Sequence, residues 1–158
     1  MRRSVLAFVV ISMLSGAAFS AEPAQNATAK GESNYMSALQ GKRADVMAKN
    51  LTLTADQATK FWPAYTKFET EQAVIVEDQL KAIKAYSEHY QTLNDASAEV
   101  YLQNTLERDQ RMHDLREKWL AQFKKILPAG TAARVIQIDR RLGLMQQLQL
   151  SGQIPLVY

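Results

Sequence analysis

Three observations predict an all-α fold for this chain of 158 residues. Apolar residues recur at threes and fours over two segments of about thirty residues, no segment carries the two-residue alternation of a strand, and Thr54 stands three residues before Gln57 in the pattern of a helix-capping box. The expected architecture is an elongated helical hairpin or bundle of about four helices, one of them long and kinked. Helices of thirty residues span roughly 45 Å each. Two such thin helices with only short partners would leave apolar surface uncovered, which predicts a homodimer.

Each element has its own signals. Arg2 and Arg3, the apolar run Val5 to Leu14 and the small residues up to Ser20 read as a secretory signal peptide over 1–20, cleaved before Ala21. The alternative, an uncleaved anchor, is hard to build because the run is shorter than the ~20 residues of a bilayer span. Residues 21–33 hold no large apolar side chain and read as a flexible leader. A single all-α domain is expected over 34–158. Its first helix runs from Tyr35 to Lys49 with Met36, Leu39, Val46 and Met47 on one side and a weak point at Gly41.

The next helix starts after Thr54 rather than Thr52, because only Thr54 has a glutamine three residues on. Leu53 precedes the cap as a staple, and Asp56 puts negative charge at the positive end of the helix dipole. Pro63 falls well inside this helix, where it lacks an N–H and is expected to bend or locally break the chain after Trp62, turning Phe61, Trp62 and Tyr65 toward a neighbour. Tyr65, Phe68, Gln72, Ile75, Gln79, Ile83, Tyr86 and Tyr90 then carry the helix to about Gln91. Asn94 or Asp95 caps a second long helix with Tyr101, Thr105, Arg108, Met112, Leu115, Trp119, Gln122 and Ile126 on its stripe, flanked by Leu102, Leu106, Leu120 and Phe123. A last helix runs from about Thr131 to Leu150 with Val135, Ile138, Leu142, Met145 and Gln149 in register. An apolar extended tail follows from Gln153 to Tyr158.

Composition narrows the function. Leaving out Arg2 and Arg3 takes 19 Lys plus Arg to 17, against 16 Asp plus Glu, so the processed chain is nearly neutral. Its charges are also interspersed, which does not suit a phosphate backbone, and nucleic acid is not an expected partner. The chain has no cysteine, so neither disulfides nor thiolate chemistry enter. Phosphate-binding loops, nucleophile elbows and zinc-protease motifs are all missing from the sequence. No enzyme, no cofactor and no small-molecule substrate are expected. The carboxylates read as a solvated face with pairs such as Glu107–Arg111 and Asp114–Lys118.

Asp109, His113 and Glu117, spaced at fours on one side of a helix, are the candidate metal ligands. The aromatic residues at helical spacing read as core. Apolar side chains bordered by basic ones, namely Met36, Lys42, Arg43, Met47, Arg134, Arg140 and Arg141, make the candidate surface for binding other polypeptides.

Leu53-Thr54-Ala55-Asp56-Gln57 resembles the motif of the LTxxQ-motif periplasmic proteins, the Spy/CpxP-like family. The extension Phe61-Trp62-Pro63-Ala64-Tyr65 and the closing Ile154-Pro155-Leu156-Val157 look like a branch of that family. The place of a second such motif carries Leu127-Pro128, with Thr131 where a glutamine would stand. What the resemblance implies is a helical, often dimeric periplasmic protein of envelope stress. Such a protein acts either as an ATP-independent chaperone on non-native polypeptides or as an accessory to a membrane stress sensor. The alternatives are a metal-responsive protein and a structural helical dimer without catalysis.

Overall fold

The computed structural model describes residues 41–157, and every regular element among them is helical. Helix α1 occupies residues 41–50, α2 Ala55–His89, α3 Asp95–Phe123 and α4 Ala129–Ser151, with a single 3-10 turn at Tyr90–Thr92 between α2 and α3. The signal-like segment, the leader, Met36, the expected start of the first helix and Tyr158 lie outside the described residues.

The cap of α2 forms as its sequence dictates. Thr54 Oγ1 accepts the Gln57 N–H at 3.3 Å, and Gln57 Oε1 accepts the Thr54 N–H at 3.0 Å. Two backbone donors that the first turn would otherwise leave bare are thereby satisfied. Asn94, not Asp95, caps α3, with its Oδ1 accepting the Ser97 N–H at 3.0 Å. Pro63 does not break α2, which runs unbroken from Ala55 to His89. The proline and Thr59, whose carbonyl it leaves without an N–H, both sit on the exposed side, where water can take the missing donor's place.

Two stripes with a seven-residue repeat organise α2 and decide what packs on it. Phe61 and Phe68 face α3, with ring centroids of Phe61–Phe123 at 5.5 Å, Phe68–Trp119 at 6.1 Å and Phe68–Phe123 at 6.0 Å, and buried Ile75 continues their stripe. Further along, Tyr86 stacks on Tyr101 at 4.1 Å, so α2 and α3 run antiparallel. The second stripe is Tyr65, Gln72, Gln79 and Tyr86, and α4 with its tail runs along it. Gln72 donates to Asp139 at 2.8 Å, Gln79 and Gln147 exchange two amide hydrogen bonds, and Tyr86 Oη donates to the Pro155 carbonyl at 3.0 Å. The tail is therefore tied down, with Tyr90 Oη bonding the Leu156 carbonyl as well.

Phe61, Tyr65, Phe68, Phe123 and Met47 are fully or almost fully buried, and Leu127, Ala132 and Val135 close the core around them. Burying each large apolar side chain contributes about 1.5 to 3 kcal/mol, so this end of the bundle holds most of the packing energy. The expected α4 stripe is corrected at two positions: Met145 is 64% exposed and Gln149 is exposed as well, and the inward row is Ala132, Val135 and Asp139. Two expected ion pairs are also corrected. Arg111 reaches Asp78 on α2 at 3.0 Å, and Lys118 reaches Glu71 on α2 at 2.8 Å. These bonds tie α3 to α2 instead of running along α3.

Candidate functional site

Asp139 is fully buried, and its carboxylate collects donors from three other helices. Arg43 of α1 donates to Oδ1, Gln72 of α2 donates to the same oxygen at 2.8 Å, and Arg116 Nε of α3 donates to Oδ2 at 2.9 Å. A buried carboxylate is tolerable only when paired and hydrogen-bonded in this way. Gly143 on α4 makes room for the third donor, since a Cβ there would lie 3.0 Å from Arg116 Nη2.

Tyr65 and Glu69 stand beside this centre, one turn apart on α2. Burial pushes the Glu69 carboxyl up to about 7 against the pull of Arg43, and burial also raises the Tyr65 phenol. Arg43 Nε is buried without a hydrogen-bond partner, and the Tyr65 phenol acts on the Glu69 carboxyl one turn away. Elsewhere, Glu71 is held below the usual carboxylate range by hydrogen bonds from Lys118 and from the Trp119 indole.

A groove of about 750 Å³ separates α3 from α4. Met112, Leu120 and Ile136 give it apolar walls, Arg108, Arg116 and Arg140 cationic ones, and Asp109, His113 and Glu117 lie along its α3 side. Its borders are apolar and open. Leu144 in the wall, Leu148 one turn on along α4, and Leu102 and Leu106 one to two turns before Asp109 on α3 are all exposed, Leu148 at 76%.

The candidate polypeptide-binding surface is redistributed. Arg43 and Met47 do not belong to it: both are buried, Arg43 because Asp139 captures it and Met47 because it packs into the aromatic core. Lys42 is exposed on α1. Arg140 lies in the α3–α4 groove, whereas Arg134 and Arg141 share a separate depression with Asn50 and Gln137. The expected metal ligands are exposed and engaged otherwise: Asp109 pairs with Arg108 at 2.7 Å, and His113 approaches Glu117 at 3.4 Å. Among the described residues, no group of three or more His, Cys, Asp or Glu is placed to hold a metal ion. No described helix is long and apolar enough to cross a membrane.

Sequence reasoning missed Asp139, Arg116 and Glu69. The available signal was a charge on the inward row Ala132–Val135–Asp139, at the position where the apolar pattern predicts a hydrophobe. Fold and site together define an all-α chain with a paired antiparallel core, a buried polar centre and an open apolar-edged groove. Comparison with protein-family models, with curated proteins and with solved structures returns no match for this chain.

Proposed function

We propose that the chain is a non-catalytic binding protein for non-native polypeptides, working without nucleotide in the periplasm as part of the envelope-stress response. The observation that carries this reading is the exposure of Leu102, Leu106, Leu144 and Leu148 at the α3–α4 groove, where Leu144 lines the groove and the others continue the same faces of α3 and α4. Apolar side chains open to water at neighbouring positions are the contacts through which a surface gains affinity for another chain. Arg140 beside them, exposed on α4, keeps the surface hydrated and tolerant of varied sequences. The same face would serve a membrane stress sensor as a single dedicated partner, and a homodimer with α2 bent at Pro63 belongs to the proposal.

The test follows aggregation of an unfolding model protein by light scattering, with stoichiometric full-length chain and no ATP. Suppression is expected. A Leu144→Ser, Met145→Ser, Leu148→Ser variant that stays folded should suppress weakly, and so should one with Arg134, Arg140 and Arg141 changed to glutamate. No suppression by the parent across several unfolding proteins would overturn the chaperone reading in favour of a sensor-binding or structural role.

A further inference from the structure

Where the end of α1 meets the first half of α4, two neighbouring depressions share Asn50 and Arg134. The larger, of about 540 Å³, also takes in Gln137 and Arg141 of α4, and the smaller, of about 270 Å³, adds Lys49 and Thr131. Among the described residues no carboxylate lines either one. Lys49, Arg134 and Arg141 are exposed.

The arginines on the other helices have acidic partners. Arg43, Arg108, Arg111 and Arg116 each pair with an aspartate, whereas Lys49, Arg134 and Arg141 enter no ion pair among the described residues. In a chain whose charges nearly balance, three such cations around one hollow are a local excess of positive charge. An anion placed there meets attraction from two helices and repulsion from no lining group.

The spacing narrows the kind of anion. Arg134 and Arg141 are seven residues apart, so they project from one side of α4 roughly 10 Å apart along its axis, with Gln137 between them. Two guanidinium groups on long side chains can converge on one tetrahedral anion and offer it paired N–H groups, while the Lys49 ammonium adds a point charge from α1. A carboxylate has two oxygens and one charge for these donors to share. A phosphate group has at least three acceptor oxygens and close to two charges near neutral pH.

We propose that the hollow between α1 and α4 is a binding site for a phosphate group, held by Arg134 and Arg141 with Lys49. The α3–α4 groove is not suited to that ligand, because Asp109 and Glu117 line it together with its arginines. Two sources carry the same chemistry, a free phosphate ion and the head group of an anionic phospholipid. The site stands on its own residues and does not depend on the proposed binding of polypeptides.

The full chain is titrated with sodium phosphate by calorimetry at constant ionic strength, against a blank of sodium chloride. Its co-sedimentation with phosphatidylglycerol vesicles is compared with that on phosphatidylcholine vesicles. The Arg134→Gln, Arg141→Gln chain should lose at least about tenfold in affinity for whichever probe binds, since a hydrogen bond to a charged group is worth about that factor. The Lys67→Gln, Lys84→Gln chain, which gives up the same charge at two exposed positions of α2, should bind like the parent. All four substituted side chains are exposed, so both variants keep the core intact, and circular dichroism checks it. Binding of phosphate in solution assigns the free ion, and binding confined to phosphatidylglycerol vesicles assigns the lipid head group. Absence of binding to either probe, affinity undiminished in the arginine variant, or an equal loss in the lysine variant overturns the proposal.

Discussion

Replacing Asp139 by asparagine removes one negative charge from the centre of the protein while keeping the size of the side chain. The aspartate accepts hydrogen bonds from Arg43, Gln72 and Arg116. An asparagine offers one carbonyl oxygen and turns an amide N–H₂ toward a guanidinium. Arg43, 6% exposed, then loses its direct ion pair and keeps only the Glu69 carboxyl, held largely neutral by burial, as a nearby acid, while Arg116, partly open to the groove, recovers some hydration. Removing one partner of a buried ion pair costs about 3 to 5 kcal/mol, a large share of the roughly 5 to 15 kcal/mol by which domains of this kind are stable.

Urea unfolding of the Asp139→Asn variant, followed by far-ultraviolet circular dichroism, should therefore shift to markedly lower denaturant. The combined Arg43→Met, Asp139→Leu, Arg116→Leu variant removes the three ions of the pair network and should recover part of the loss, with Gln72 left without its acceptor and Glu69 kept neutral by burial. A loss below about 1 kcal/mol for Asp139→Asn, inside the range of surface pairs, would refute the view that a buried ionic centre joins the four helices.

Two further outcomes follow from local geometry. Thr54→Ala should cost about 0.5 to 2 kcal/mol and Thr52→Ala appreciably less in urea melts, since only Thr54 forms the cap; equal losses would mean the cap is energetically silent. Glu71, whose carboxyl is held low by Lys118 and Trp119, stabilises the fold above the ordinary glutamate range and loses that contribution as pH falls through its lowered value. The stability difference between the parent and Glu71→Gln should accordingly shrink in acid; a difference constant with pH would show that the two hydrogen bonds do not favour the ionised form.

Much of the helical layout could be read from the residues because local chemistry decides it. Thr54 and Gln57 lie within one turn, and the apolar spacing of Phe61, Phe68 and Ile75 reflects a single helix face. Asp139 could not be read in the same way, since its partners lie 96, 67 and 23 residues away and no local pattern says which helices will meet. Arg43 shows the consequence. On sequence grounds a basic residue bordering an apolar stripe belongs to solvent, yet the distant aspartate draws it inside. The pairs Glu107–Arg111 and Asp114–Lys118 give way for a related reason: spacing along one helix competes with partners on another, and Asp78 and Glu71 on α2 win. The candidate binding face was legible only in part, because Met145 satisfies the helical period of a core residue but is exposed, while Asp139 and Gln147 on either side of it turn toward α2.

The central claim, that other polypeptides bind along the α3–α4 groove, is tested most directly by placing a photo-crosslinking residue singly at Leu106, Leu148 and, as a control on α2, Val74, all three exposed. Each chain is irradiated with a permanently unfolded model protein at stoichiometric ratio and without ATP. The account predicts crosslinked product from Leu106 and Leu148 and little from Val74. Equal yields from all three positions, or a yield confined to Val74, would contradict it.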